Sequence, residues 1–242
     1  MRYFPFLLSF FVAAGPASAS DVKKFGMAAA LDPSLQPALD PVPEQAGLPR
    51  VLLIGDSISI GYTRAVRAEL AGKANVVRPP ENCGPTGFAL SRLDGWLGPG
   101  PWAVIHFNFG LHDLKYLDAE GTYIVPKPGD QPLATPEQYA DNLRTIVARL
   151  KRTGARLVFA TTTPVPDGTV GRIAGSERAY NDAALAVTRE AGVAVDDLWA
   201  FTHERPALQK PHNVHFTPEG DEAIAHVVTA AIAAQLPATP SP

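Results

Sequence analysis

The 242 residues suffice for one α/β domain with a sizeable buried core, and 46% hydrophobic against 19% charged residues excludes a disordered chain. The formal net charge is −3 with no long Lys/Arg run, which argues against nucleic acid or an anionic membrane as partner. Cys83 is the only cysteine, so the count excludes an internal disulfide and a cysteine-based metal site, and leaves this thiol as a packing residue.

The chain opens with Arg2, a mostly apolar run from Phe4 to Ala14, and Ala17-Ser18-Ala19 in a small-x-small pattern. The run is short for a bilayer span, so a cleaved leader over residues 1–19 is expected. Export to the periplasm or beyond follows, with no stable membrane association afterwards. Losing the leader removes Arg2 and no acid, which takes the charge from −3 to −4. Residues 20–49 carry Pro33, Pro37, Pro41, Pro43 and Pro49 without periodicity and read as an extended arm. Residues 50–236 form the domain, and 237–242 a short tail.

Within the domain, Val51-Leu52-Leu53-Ile54 is continuously apolar, as a strand buried on both faces should be. A helix is predicted from about Thr63 to Ala71. Asn75–Arg78 and Ala103–Phe107 are the second and third strands, and a Pro/Gly-rich loop follows at 114–135. Leu143, Ile146, Val147 and Leu150 recur at helical spacing within Pro136–Arg152, and Thr135 before Pro136 supplies a cap. Arg156–Ala160 is a fourth strand, Ser176–Ala191 a helix and Val193–Val195 a fifth strand. Thr217-Pro218 opens a last helix to about Leu236. Strands alternating with helices predict a parallel sheet covered on both faces.

Ligands in such folds bind beyond the carboxyl ends of the strands. Three segments stand there. Gly55-Asp56-Ser57 follows the first strand and places a serine near a helix N-terminus, where backbone N–H groups face a developing oxyanion. Asn108-Phe109-Gly110-Leu111-His112-Asp113 follows the third strand. His212-Asn213-Val214-His215-Phe216-Thr217 comes after the fifth and leads into the last helix. Serine, polar donors and histidine on one rim are the set needed for base-assisted attack on an acyl group. Singly, each reads more readily as a capped turn or as a capping or packing histidine.

These blocks resemble the SGNH/GDSL hydrolase superfamily over roughly residues 50–236. The resemblance implies a three-layer α/β/α sandwich of flavodoxin-like type, with a five-stranded parallel sheet in the order 2-1-3-4-5. It implies Ser57 as nucleophile, in Gly55-Asp56-Ser57, and His215 as general base, in Val214-His215-Phe216-Thr217-Pro218-Glu219-Gly220. It also implies an oxyanion hole of the serine N–H, a glycine N–H and an asparagine side chain, and no cofactor or metal. Ungapped spacing from Asn82 puts that glycine at Gly87, with Gly84 as competitor. Gly110-Leu111-His112-Asp113 is similar to the Gly-x-Asn-Asp block, with His112 where the family has asparagine. The aspartate usually found three positions before the histidine is replaced by His212. Asn213 is then the nearest polar partner for His215, and Asp113, Asp196 and Asp197 are alternatives by location. Asp56, Gly84 and Asp113 are expected at the substrate.

The expected activity is hydrolysis of a carboxylic ester through an acyl-Ser57 intermediate, on a small-molecule or carbohydrate ester with a small acyl group. Tyr116, Tyr123 and Ile124 of the 114–135 loop are candidate pocket walls. The same residues also fit acyl transfer to another alcohol, or a binding or scaffold protein on a degenerate hydrolase fold. The absence of Gly-x-Ser-x-Gly argues against the ordinary α/β-hydrolase fold. His106, His112, His212 and His215 match no familiar zinc spacing. Nothing in the sequence specifies an oligomeric state.

Overall fold

The structure, a computed structural model, describes residues 18–27 and 33–237. The expected leader lies outside them except for Ser18 and Ala19, and so does the tail beyond Pro237. Among the described residues, the arm is extended only in part. It contains α1 (Ala19–Lys24), a 3₁₀ turn (Pro33–Leu35) and α2 (Gln36–Leu39), and it is docked on the domain. Phe25 packs against Phe88 with ring centroids 5.7 Å apart, and Ala38 and Leu39 are buried with Ile60. Buried Lys115 donates from Nζ to Gly26 O at 3.0 Å. Proline suppresses regular helix over a long span but tolerates single turns, and apolar burial holds those turns in place.

The domain alternates β1 (Arg50–Ile54), α3 (Ser57–Glu69), β2 (Asn75–Val77), α4 (Thr86–Leu97), β3 (Val104–Phe107), α5 (Pro136–Lys151), β4 (Arg156–Ala160), α6 (Glu177–Ala191), β5 (Ala194–Asp196), α7 (Leu198–His203) and α8 (Pro218–Ala233). All strand pairs are parallel, in the order β2-β1-β3-β4-β5. This is the predicted five-stranded α/β sandwich. Val51 to Ile54 are 0–1% exposed, so each side chain contributes roughly 1.5–3 kcal/mol of hydrophobic burial. Helix α3 packs on α8, and α4, α5 and α6 pack in series.

Two differences from the predicted elements bear on the site. Helix α3 begins at Ser57, six residues before the predicted start, because the Asp56 carboxylate caps it by accepting from Ile58 N–H at 3.0 Å. Helix α4, which sequence periodicity does not reveal, has Pro85 at its cap position and no local side-chain cap. The Asp113 carboxylate, from the third-strand segment, accepts from the Thr86 N–H at 3.0 and 3.2 Å and from the Thr86 hydroxyl. His106 lies in β3 as a core residue, with Nε2 3.0 Å from Asp196 Oδ2.

Candidate active site

The carboxyl ends of β1 and β3 and the turn before α8 converge on a cleft of about 650 Å³. Ser57 is the first residue of α3 and sits half-buried on its floor. First-turn N–H groups lack intrahelical acceptors, and the helix macrodipole puts its positive end at this serine. Gly55 cannot carry a side chain here: a Cβ would collide with Asn108 Oδ1.

His215 faces Ser57 from across the cleft, with Nε2 2.8 Å from Oγ. His215 stands in a bend between buried Val214 and Phe216, and Phe216 bridges to Gln209, so the two buried neighbours anchor the segment on either side of the imidazole. The segment is pinned by Lys210 N–H to His215 O at 2.9 Å and by Thr217 N–H to Leu208 O at 2.9 Å.

Asn213 holds the imidazole. Its Oδ1 lies 2.7 Å from His215 Nδ1 and accepts the His215 backbone N–H at 3.0 Å. An amide oxygen accepts only, so Nδ1 carries the proton and Nε2 presents its lone pair to the Ser57 hydroxyl. The family's aspartate position does something else: His212, at φ +54°, turns its Nδ1 to Asp167 O at 2.7 Å. Asp113 is engaged by Thr86, Asp196 by His106, and Asp197 by Thr161 and the Ala200 N–H. Asn213→Asp should therefore add a negative charge in the right place. We expect kcat to rise about 10-fold. A carboxylate beside His215 stabilises the imidazolium and raises its pKa, so the acid limb of the kcat/KM profile should move to higher pH. A profile unchanged in height and position would show that Asn213 does not orient His215.

His112 is 8% exposed and lines the cleft, while its Nδ1 is buried without a protein partner. Burial first, then the cations Lys115 and Arg172, hold it well below the usual histidine pKa, so the ring is neutral. The turn Gly110–Leu114, closed by Asp113 N–H to Gly110 O at 2.9 Å, fixes its place.

Other expected site residues stand elsewhere. Gly87 lies inside α4 beside the Phe25 ring, which an added Cβ would meet at 3.4 Å, an ordinary contact, and it lines a separate hollow with Pro85 and Asp113. Residue spacing does not show that α4 already begins at Thr86, which places Gly87 within the helix. Gly84 has φ +59° and gives its N–H to Asn82 Oδ1 at 2.9 Å, so this N–H is not aimed at Ser57. Asn82 is the residue of that turn that lines the cleft. Asp113 is fully buried as the cap of α4 and does not reach substrate. Asp56 is likewise buried behind Ser57, capping α3, with Asn108 Nδ2 3.4 Å away. Tyr123 walls the cleft, whereas Tyr116 and Ile124 brace it by pairing Ile124 N–H with Tyr116 O at 3.2 Å.

The structure adds Arg172, Lys210 and Asp221 to the cleft. None carries a sequence signal, since a single charged residue on a loop or helix start is ordinary. Burial pushes the Asp221 carboxyl up to about 7, against an opposing pull from Lys210. A carboxyl raised on folding costs stability as pH rises from its unfolded value toward 7, and the cost is full above 7. Asp221→Asn should therefore raise Tm by roughly 3–6 °C at pH 8.5 after allowing for solvent screening, with the gain vanishing near pH 4. Thermal melts across that range test the sign.

A family model described as the GDSL-like lipase/acylhydrolase family matches residues 53–223. A GDSL esterase/lipase of Arabidopsis thaliana is 26% identical over 206 residues, covering 73% of this chain and 82% of the relative. Among solved structures, a lipase/acylhydrolase from Enterococcus faecalis superposes with a TM-score of 0.64 at 17% identity, over 80% of this chain and 100% of that one. An acetylxylan esterase from Geobacillus stearothermophilus gives 0.60 at 15% identity, over 76% and 94%. These two likenesses establish the shared fold.

Proposed function

Because the chain belongs to the GDSL-like lipase/acylhydrolase family, we propose that it is an exported esterase that removes a small acyl group from a carbohydrate or other polar ester, with Ser57 as nucleophile and His215 as base. Membership makes it a serine ester hydrolase. The observation that carries the mechanism is the 2.8 Å contact of Ser57 Oγ with His215 Nε2, in an imidazole already oriented by Asn213.

The steps follow from that geometry. Ser57 Oγ attacks the ester carbonyl carbon while its proton passes to His215 Nε2. Negative charge develops on the carbonyl oxygen, where the Ser57 N–H at the start of α3 and the His112 ring N–H are the donors. The tetrahedral species collapses, His215 returns the proton to the departing alcohol, and the acyl group stays on Ser57. Water then attacks with His215 again as base, releasing a carboxylic acid and restoring the serine.

Support for export is the leader-like segment of Arg2, the Phe4–Ala14 run and Ala17-Ser18-Ala19. Among the described residues no helix is long and apolar enough to cross a membrane. Support for a polar ester is the cleft's mixed lining, with Asn82, Thr169, Arg172 and Lys210 beside Leu111 and Phe216. Structural neighbours with this fold include acetylxylan esterases. The test is a panel of p-nitrophenyl esters of increasing acyl length together with acetylated polysaccharides. Acetyl release that exceeds hydrolysis of long-chain esters is the expected result. A preference for long acyl chains would overturn the substrate class, and inertness toward all esters and toward a fluorophosphonate probe would overturn the esterase.

A further inference from the structure

The cleft holds a guanidinium that the mechanism above does not use. Arg172 lines it, and its Nε donates to Leu111 O at 2.9 Å, the carbonyl next to His112. Its Cζ stands 5.5 Å from the centroid of the Tyr123 ring. Gly171, at φ +68°, lets that ring lie directly on the backbone, where a Cβ would enter the ring. The side chain is therefore held from two sides. Its other edge is free: among the described residues, no carboxylate pairs with Arg172 and neither Nη1 nor Nη2 has a protein acceptor.

An immobilised guanidinium with an open Nη1/Nη2 edge matches a planar carboxylate in two-point fashion. Local charge favours the same ligand. The chain as a whole is at −3, yet this cleft gathers Arg172 and Lys210 against a single carboxylate, Asp221, which is only partly ionised at neutral pH. Buried Asp56 feels the Arg172 charge but forms no ion pair with it, so the open guanidinium edge is left for a substrate contact.

We infer that the cleft selects esters carrying a carboxylate near the scissile bond, which Arg172 holds through Nη1 and Nη2. Acyl groups on acidic sugars and half-esters of dicarboxylic acids are the chemical classes that fit. The inference rests on the esterase reading, and it deepens that reading by naming the charge of the substrate.

The experiment compares matched pairs. 4-Acetoxybenzoate is set against 4-acetoxybenzamide, and mono-4-nitrophenyl succinate against 4-nitrophenyl butyrate, with 4-acetoxyphenyl phosphate as a third anion. Wild type should prefer the carboxylate member of at least one pair by about 10- to 100-fold in kcat/KM, chiefly through KM. Arg172→Gln should bring that pair to parity, the anionic ester losing far more than the neutral one, and Arg172→Lys should keep part of the preference. The preference should also shrink with added salt. Parity in wild type, or a preference that survives Arg172→Gln, overturns the inference, and so does a stronger preference for the phosphate ester. An equal loss on neutral and anionic esters in Arg172→Gln also overturns it, since Arg172 would then only brace the Leu111–His112 turn. Calorimetric binding of benzoate to Ser57→Ala, with and without Arg172→Gln, decides the carboxylate site independently of turnover. Arg172-dependent binding supports it and its absence overturns it, whereas lack of Ser57-dependent cleavage of the neutral esters would count against the esterase reading alone.

Discussion

Replacing Ser57 with alanine should lower kcat for any ester substrate by about 10⁴- to 10⁶-fold, and His215→Ala should do nearly the same. The reason is that the two groups act as one. The Ser57 hydroxyl is a weak nucleophile until His215 Nε2, 2.8 Å away, accepts its proton, and the imidazole has no covalent chemistry without the serine. The losses should therefore not add. The Ser57→Ala/His215→Ala double variant should be no slower than the worse single variant, the residual rate coming from binding and the oxyanion donors. The stability of Ser57→Ala should change little, because that variant loses a single half-buried side-chain hydrogen bond, worth about 0.5–1.5 kcal/mol. A Tm change within about 3 °C is expected. If the double variant lost the product of the two single effects, Ser57 and His215 would be acting independently and the dyad would be wrong.

What the sequence reveals of this arrangement follows from how local each signal is. The strand Val51–Ile54 is legible because burial on both faces forces an unbroken apolar run. Helix α5 is legible because its apolar stripe and its Thr135-Pro136 start are written within one segment. The start of α3 is obscured, since Ser57-Ile58-Ser59-Ile60-Gly61 contains β-branched residues, serines and a glycine, all weaker helix formers than alanine. Burial of Ile58 and Ile60 and the Asp56 cap override that propensity. Helix α4 is hidden for another reason. Its cap is Asp113, 27 residues downstream, and no window of local sequence contains that contact. The same fact misdirects the reading of Asp113 itself, which belongs to a recognisable block but serves to hold a helix. Asn213 stands close enough in sequence to be named. Arg172 reaches the cleft only through the β4–α6 connection and the turn of Tyr123, a long-range placement with no motif.

The second large effect is expected at His112. His112→Ala should reduce kcat by about 10²- to 10³-fold with KM little changed, the signature of a donor that matters when charge develops. The tautomer decides whether a histidine can do the work of the family's asparagine. Nδ1 is sealed in the protein without a partner. A buried N–H left without an acceptor is costlier than a buried acceptor left without a donor. The proton therefore belongs on Nε2, and the proposed mechanism uses that N–H as its donor. Burial, helped by Lys115 and Arg172, keeps the ring neutral well below ordinary histidine titration. Its donor state should hold across the working pH range and contribute no limb of its own to the pH profile. His112→Asn restores a side-chain N–H donor and should retain activity within about 10-fold of wild type. Equal rates for wild type and His112→Ala would remove His112 from the oxyanion hole and leave backbone N–H groups to stabilise the intermediate unaided. Loss in both variants with an unchanged Tm would place the requirement on the imidazole itself rather than on a donor at that position.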